Sequence, residues 1–334
     1  MKKKYKAAVI GCGNIGVEVS NYKKEVQPAT HAGAYQNHPK VELAGLVDLN
    51  PKRLDIAARY FPGVLLFRSS KEMLEKVKPD IVSVATHPGS HSELVKMAAQ
   101  HKTKAIVCEK PIAETIKEGE EMIKICKKTG SLLFINHTRR FDPLFRKERE
   151  EIKRGKLGRV LQATYYYYNG IFNNGTHLVD LLRFFLGEID WVLGIENKNT
   201  KNPNLKNDIN IDATLHFKNG TIAAIQSLPP NYGFSEFYFY GERGGLFFRN
   251  LGYEIEYRRL VKNKYYKGYY QMDSKSKFYG KIRSFMISMV DHVVKCLDKK
   301  ERPISTGEDG LAALKIIFAL KESAKNNGKF VKLI

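Results

Sequence analysis

The most chemically suggestive residues come first: Gly11-Cys12-Gly13-Asn14-Ile15-Gly16, spaced G-x-G-x-x-G, directly behind the apolar run Tyr5–Ile10. After a strand and ahead of a helix, this spacing is built for a dinucleotide. Gly11 permits a tight turn, Gly13 lets the backbone approach a pyrophosphate, and Gly16 lets helix and strand pack closely. The phosphates then lie on a helix N-terminus. Asp48 ends the next apolar run. Its carboxylate would accept from the ribose hydroxyls of NAD and repel the 2′-phosphate of NADP, so NAD is the expected cofactor. Asp48 stands 32 residues beyond Gly16, where about 20 is usual. An insertion of about ten residues within Val17–Thr30 explains the excess, with Pro28 interrupting the helix and Thr30 capping its resumption. Arg53 lies near enough to stack on adenine or reach a phosphate, which leaves NADP use open.

Two further groups follow apolar runs. Thr86-His87-Pro88 and His91 come after Ile81–Ala85, and Glu109-Lys110-Pro111 comes after Ala105–Cys108. The carboxyl ends of strands are where α/β sheets bind ligands. An amine at Lys110 can hold a substrate hydroxyl, and desolvation would lower its pKa. The alternative is a plain Glu109–Lys110 ion pair. His177 opens a stretch in which Leu178, Leu181, Leu182 and Phe185 repeat at helical spacing. At a helix N-terminus the charged imidazole is disfavoured, and the neutral ring can accept a proton. Asp180, one turn on, could hold the other ring nitrogen. Arg139 and Arg140 offer either a phosphate or carboxylate contact on the substrate or an internal ion pair. Tyr165–Tyr168 alternate between the faces of a strand, so neither face is expected to be solvated.

These groups need elements to position them. Up to about residue 135, short apolar runs alternate with amphipathic helical stretches, which implies a doubly wound parallel sheet covered on both faces. Beyond residue 140, strands joined by short turns dominate, with Asn219-Gly220 as the strongest hairpin signal. Helices are expected at Phe141–Arg154, Thr176–Leu186, Phe278–Leu297 and Glu308–Lys325. The reading is an α/β domain over 1–138 and an α+β domain over 139–334 with a large, mainly antiparallel open sheet. The helix 308–325 is expected to pack back on the first domain, and the lone Trp191 is read as core.

Composition narrows the function classes. The chain has 334 residues, 43% hydrophobic and 27% charged, with a net charge of +21. That is ordinary globular usage and excludes wholesale disorder. The lysines are scattered, so the charge reads as a solvated surface with some attraction for anionic ligands, and no nucleic-acid partner is expected. The basic, tyrosine-rich stretch around Lys262–Lys277 is read the same way. No apolar run approaches the ~20 residues of a membrane span. The stretch behind Met1-Lys2-Lys3-Lys4 contains no A-x-A-like cleavage site, so a cytoplasmic location is expected. The four cysteines stand far apart and contain no C-x-x-C pair, and no group has metal-ligand spacing.

Taken together, these residues resemble the glucose-fructose oxidoreductase / inositol 2-dehydrogenase / rhizopine catabolism family along essentially the whole chain. The matching pieces are Gly11–Gly16, Thr30-His31-Ala32-Gly33-Ala34-Tyr35, Glu109-Lys110-Pro111, Asn136–Pro143, Gly175–Asp180 and Gly307-Glu308-Asp309-Gly310. The resemblance implies a Rossmann domain joined to an α+β domain whose open sheet packs against another subunit as a homodimer or homotetramer. It implies hydride exchange between a nicotinamide and a carbinol carbon of a sugar, cyclitol or sugar nucleotide, possible anionic substrates included. Lys110 and His177 would remove the hydroxyl proton, and Arg140, Tyr168 and Asn173 would bind substrate. The family's usual D-x-x-x-H has Asn173 at its Asp position here. That departure argues mildly for an alternative, a regulator of the same fold that binds cofactor without turnover, while the retained Lys110 and His177 argue against it.

Overall fold

Runs of β-branched and apolar residues make the strands of the first unit, three to seven residues long, and the amphipathic stretches between them make its helices. The computed structural model describes residues 4–18, 27–205, 208–233, 235–281 and 283–333. It divides the chain into one unit of Met1–Pro143 with Arg283–Leu314 and another of Leu144–Ile282 with Lys315–Ile334.

The first unit runs β1 (Tyr5–Ile10), α1 (His31–Asn37), β2 (Val41–Val47), α2 (Pro51–Tyr60), β3 (Leu65–Phe67), α3 (Ser70–Val77), β4 (Ile81–Val84), α4 (His91–Gln100), β5 (Ala105–Cys108), α5 (Ile116–Thr129), β6 (Leu132–Ile135) and the short α6 (Thr138–Phe141). Its six strands are all parallel and ordered β3-β2-β1-β4-β5-β6. The order reverses between β1 and β4, and the crevice at the carboxyl ends of those two strands is the natural ligand site of such a sheet.

Thr30 caps α1, its hydroxyl accepting from Gly33 N–H. The helix also continues the glycine turn, because His31 N–H donates to Ile15 O and Ala32 N–H to Gly16 O. An α-helix spans four residues between such partners. Here the span is sixteen, twelve more than one helical ladder uses. Removing twelve from the 32 between Gly16 and Asp48 restores the usual offset of about 20. Part of the expected insertion, residues 19–26, lies outside the described residues.

The second unit runs α7 (Pro143–Lys153), β7 (Val160–Tyr167), α8 (Gly175–Leu186), β8 (Ile189–Glu196), β9 (Ile211–Phe217), β10 (Ile222–Ser227), β11 (Glu236–Gly241), β12 (Gly244–Arg249), β13 (Glu254–Lys262), β14 (Tyr270–Met272) and β15 (Lys277–Tyr279). The chain then forms α9 (Phe285–Leu297) in the first unit, α10 (Gly307–Lys325), and β16 (Val331–Lys332) in the second unit. The large sheet is ordered β14-β13-β12-β11-β7-β10-β9-β8-β16, with β15 on β13, and only the β7–β10 pair is parallel. Its inner face is aromatic: Phe237, Phe239, Phe248 and Tyr165 are buried together with Phe145 of α7 and Phe185 of α8.

Several expectations shift. The helix expected from Phe278 starts at Phe285, where the Ser284 hydroxyl caps it, and Lys277–Tyr279 pairs with β13 as a strand. The helix expected from Phe141 starts at Pro143, because a proline pre-sets the first turn and leaves Asp142 extended. A single cut near 138 does not describe the chain, since α9 returns to the first unit. Its Met286, Met289, Val290 and Val293 are buried there at i, i+3, i+4, i+7 spacing. The first turns of α10 also belong to that unit, where Gly307 and Gly310 lie close to Leu133 and Ile135. Trp191 is only half-buried and stacks on His216, ring centroids 5.0 Å apart, so it lies on the sheet surface and not in the core. No helix among the described residues is long and apolar enough to cross a membrane.

Candidate functional site

Two glycines of the turn, Gly11 and Gly16, stand where the backbone leaves no room for a side chain. Gly11 has φ +101°, and a Cβ there would lie 2.5 Å from Ala85 O. A Cβ on Gly16 would lie 1.9 Å from Gly11 O. On Gly13 a Cβ would meet only the Arg53 guanidinium, at 3.8 Å, which leaves an open, cation-flanked approach to the backbone. Asn14 is exposed and Ile15 half-buried beside it. Cys12 is buried in this turn, and burial pushes its thiol up to about 12, so it is inert at neutral pH.

Asp48 is buried at the end of β2. Its Oδ2 accepts from Cys12 N–H at 2.8 Å and its Oδ1 from Asn50 N–H at 2.8 Å. The Arg53 guanidinium stands 3.6 Å from Oδ2. A carboxylate has about four acceptor sites, so capacity remains for ribose hydroxyls. The glycine cradle and this donor and acceptor set fit a dinucleotide: Gly11–Gly16 and Arg53 for the pyrophosphate, Asp48 for the ribose.

The loops after β4 and β5 meet through His91, the first residue of α4. Its Nδ1 lies 3.0 Å from Pro111 O and its Nε2 3.1 Å from Thr86 O. A neutral ring has one N–H for these two carbonyls, and a charged ring would serve both. Burial works against the charged form and prevails, so the pKa lies below the usual histidine value. Thr86 Oγ1 accepts from Ser90 Oγ at 2.7 Å. His87 and Pro88 begin the short turn before α4, with His87 exposed.

Glu109 is buried beside Lys110. Its Oε1 receives Asn136 Nδ2 at 2.6 Å and lies 2.9 Å from His31 Nε2, while Oε2 receives the Lys110 backbone N–H at 3.3 Å. Burial alone would raise the carboxyl pKa; the His31 and Asn136 hydrogen bonds outweigh it and hold the group ionised. The Lys110 side chain is half-buried. Of the sequence candidates, Gly11–Gly16, Asp48, Arg53, Thr86, His91, Glu109 and Lys110 all lie at the carboxyl edge of the one parallel sheet.

Arg140 departs from its expected substrate role. It is 5% exposed, and its guanidinium donates to Asp309 Oδ1 at 2.9 Å and to Ile304 O at 3.1 Å. It ties α6 to the start of α10 within the first unit, so its charge is taken up internally and lends no support to an anionic substrate.

In the second unit, His177 is the third residue of α8 and half-buried, but the helix does not begin there. A π-helical turn, Gly170–Asn174, runs directly into it, with Gly175 N–H donating to Gly170 O. The free N-terminal amides therefore lie before His177, and the Asp208 carboxylate takes two of them: Phe172 N–H at 2.8 Å and Asn173 N–H at 2.8 Å. Asn210 Oδ1 accepts from Gly170 N–H at 2.8 Å. A Cβ on Gly170, at φ +83°, would overlap Asp208. Sequence reading misses Asp208 and Asn210, which sit in no motif and more than 30 residues from the turn they cap. It also leaves His31 without a role, although the Thr30–Tyr35 motif contains it. Tyr168, just past β7, is half-buried. Asp180 is buried one turn beyond His177.

Residues 5–137 match the profile described as oxidoreductase family, NAD-binding Rossmann fold, and residues 170–333 match that family's C-terminal alpha/beta domain. The chain is 26% identical to the myo-inositol 2-dehydrogenase of Thermotoga maritima, over 97% of each chain. It is 27% identical to the D-apiose dehydrogenase of Paraburkholderia graminis, a match over 56% of this chain that spans about half (51%) of that protein. Among solved structures, the WlbA dehydrogenase from Bordetella pertussis, in complex with NADH and UDP-GlcNAcA, superposes with TM-score 0.78 at 23% identity, over 99% of each chain. At that identity the likeness speaks to the fold.

Proposed function

The chain belongs to the Gfo/Idh/MocA family of NAD-binding oxidoreductases, and from that premise we propose that it is a dehydrogenase for a secondary alcohol on a sugar or cyclitol. The observation that carries the reading is the shared edge: the glycine turn, Asp48 and the Glu109–Lys110 pair all stand at the carboxyl ends of β1, β2 and β5, around the point where the sheet order reverses. The names of the relatives, myo-inositol 2-dehydrogenase and D-apiose dehydrogenase, favour a neutral polyol.

Bound NAD supplies a nicotinamide that exchanges hydride with the carbinol carbon. Gly11–Gly16 and Arg53 hold the pyrophosphate, and Asp48 holds the ribose. The Lys110 ammonium donates to the reacting oxygen and offsets the charge that develops as its proton leaves. The His177 imidazole takes that proton, and Asn173 and Tyr168 bind neighbouring hydroxyls. Such proton transfer contributes roughly 100–10,000-fold to rate.

The test is NAD reduction across a panel of cyclitols, aldoses and nucleotide sugars. Turnover on a polyol abolished by Lys110→Met supports the proposal. Tight NAD binding with no turnover on any member would replace it with the cofactor-binding regulator.

A further inference from the structure

We propose that His31 is a positioning residue for Lys110: its backbone holds the glycine turn while its ring holds Glu109, so one residue locks the loop that carries Lys110 to the cofactor-binding turn. The inference rests on the reading of Lys110 given above.

The geometry is continuous. His31 N–H donates to Ile15 O at 3.0 Å, inside the G-x-G-x-x-G turn. On the same residue, Nε2 lies 2.9 Å from Glu109 Oε1 and Nδ1 lies 2.8 Å from Ser83 Oγ. Ser83 Oγ lies 2.7 Å from Tyr35 OH. His31, Tyr35 and Ser83 are all 0% exposed. A chain Tyr35–Ser83–His31–Glu109 therefore runs through the core and ends one residue from the proposed catalytic amine. It draws on α1, β4 and the end of β5, so it spans the point where the sheet order reverses. Buried polar chains cost stability unless every member is satisfied. A purely structural core here would be better served by apolar residues, and the chain reaches the site at the Glu109–Lys110 step.

Glu109 faces His31 from α1, His91 from α4, Cys108 at the end of β5, neutral Asn136 after β6, and Lys110. Burial raises the Tyr35 and Cys108 pKa values, so both stay neutral, and His91 is biased to its neutral form. The Lys110 ammonium and the Glu109 carboxylate favour each other's charge. His31 is the hydrogen-bond partner that contributes most to keeping the buried carboxylate ionised. Without that hydrogen bond the carboxyl pKa rises, and the negative charge that favours the Lys110 ammonium is held less firmly.

The experiment titrates Lys110 by NMR in ¹³C-methylated apoprotein, alongside kcat/KM profiles against pH. His31→Ala should lower the Lys110 pKa by about one unit and reduce kcat/KM by roughly 100-fold. His31→Gln, which keeps a donor toward Glu109, should recover most of both. Glu109→Gln should reproduce the shift, and the double variant should add little. If His31→Ala does not fold, the contrast between His31→Asn, too short to reach Glu109, and His31→Gln reads the same effect. A His31 variant that melts earlier but keeps the wild-type Lys110 titration and kcat/KM would overturn the inference and leave a structural role. Retained turnover in Lys110→Met would instead sink the catalytic reading, so the two failures are told apart.

Discussion

Asp48 Oδ2 accepts the backbone N–H of Cys12 at 2.8 Å, so the carboxylate that ends β2 also pins the glycine turn that ends β1. The selectivity proposed for it against a 2′-phosphate and its grip on the turn are therefore separable. Asp48→Asn removes the charge but keeps an acceptor for Cys12, whereas Asp48→Ala removes both. A hydrogen bond to a charged group is worth about 1.5–3 kcal/mol, so NAD affinity should fall tenfold or more in Asp48→Ala. Asp48→Asn should mainly narrow the NAD over NADP ratio of kcat/KM. A wild-type protein that prefers NADP would remove Asp48 from this role.

Lys110 and His177 should act on chemistry, not on cofactor affinity. Lys110→Met and His177→Ala should each lower kcat/KM by roughly 100–10,000-fold, with NAD dissociation constants little changed. If, as proposed, both serve one proton transfer, the double variant should be little worse than either single. Additive losses would show that the two residues serve separate steps.

The periodic parts were legible. Short apolar runs alternating with amphipathic helices specify the parallel sheet, and Asn219-Gly220 joins β9 to β10 as expected, with Gly220 at φ +85°. The glycine turn and Asp48 were readable because they occupy fixed positions relative to a strand, and the twelve extra residues before His31 account for the odd offset. What hid from the sequence was pairing at a distance. Arg140 reads as a ligand cation until Asp309, 169 residues on, takes its guanidinium. Asp208 looks like any loop acid until it caps Phe172 and Asn173. The short strands β14, β15 and β16 have too few residues to show a period.

Acid should destabilise the first unit through His91. Its folded-state pKa lies below the ordinary value of 6.5. Above pH 6.5 both folded and unfolded chains leave the ring neutral, and stability is intact. As pH falls below 6.5 the unfolded chain binds a proton that the folded chain resists, so stability drops until the folded pKa is reached. Melting temperature should begin to decline below about pH 6.5, and His91→Gln should flatten that part of the profile. An unchanged slope in the variant would assign the acid sensitivity elsewhere.

Asp208 should matter out of proportion to its place in a loop. Asp208→Ala leaves the Phe172 and Asn173 amides without their acceptor, at a cost of about 1–3 kcal/mol. The π turn leads directly into the helix carrying His177, so kcat should fall together with melting temperature. Asp208→Asn, with one acceptor oxygen in place of two, should lie between Ala and wild type. A wild-type melting curve for Asp208→Ala would show that water replaces the carboxylate at no cost.

The large sheet should mediate self-association through its outer face. Cross-strand register puts Tyr166, Tyr238, Tyr240 and Phe247 on the face opposite Tyr165, Phe237 and Phe239. Those outer rings touch edge to face, with centroids 6.1 Å apart for Tyr166–Tyr238 and 5.5 Å for Tyr240–Phe247. Ile222 and Ile195 extend the same face and are 43% and 58% exposed, as Tyr240 is at 42%. A sheet normally shows polar side chains on a face left to water, and exposed apolar patches of this kind mark interaction surfaces. The face is built from one continuous sheet, so a second copy can match it across a two-fold axis with the same residues on both sides. Sedimentation at micromolar concentration should show a dimer or tetramer. Tyr240→Glu combined with Ile222→Lys should shift it toward monomer while leaving the circular dichroism of the fold intact, because neither residue belongs to the buried inner face. A wild-type chain that sediments as a monomer at that concentration would mean that this aromatic face meets something other than itself.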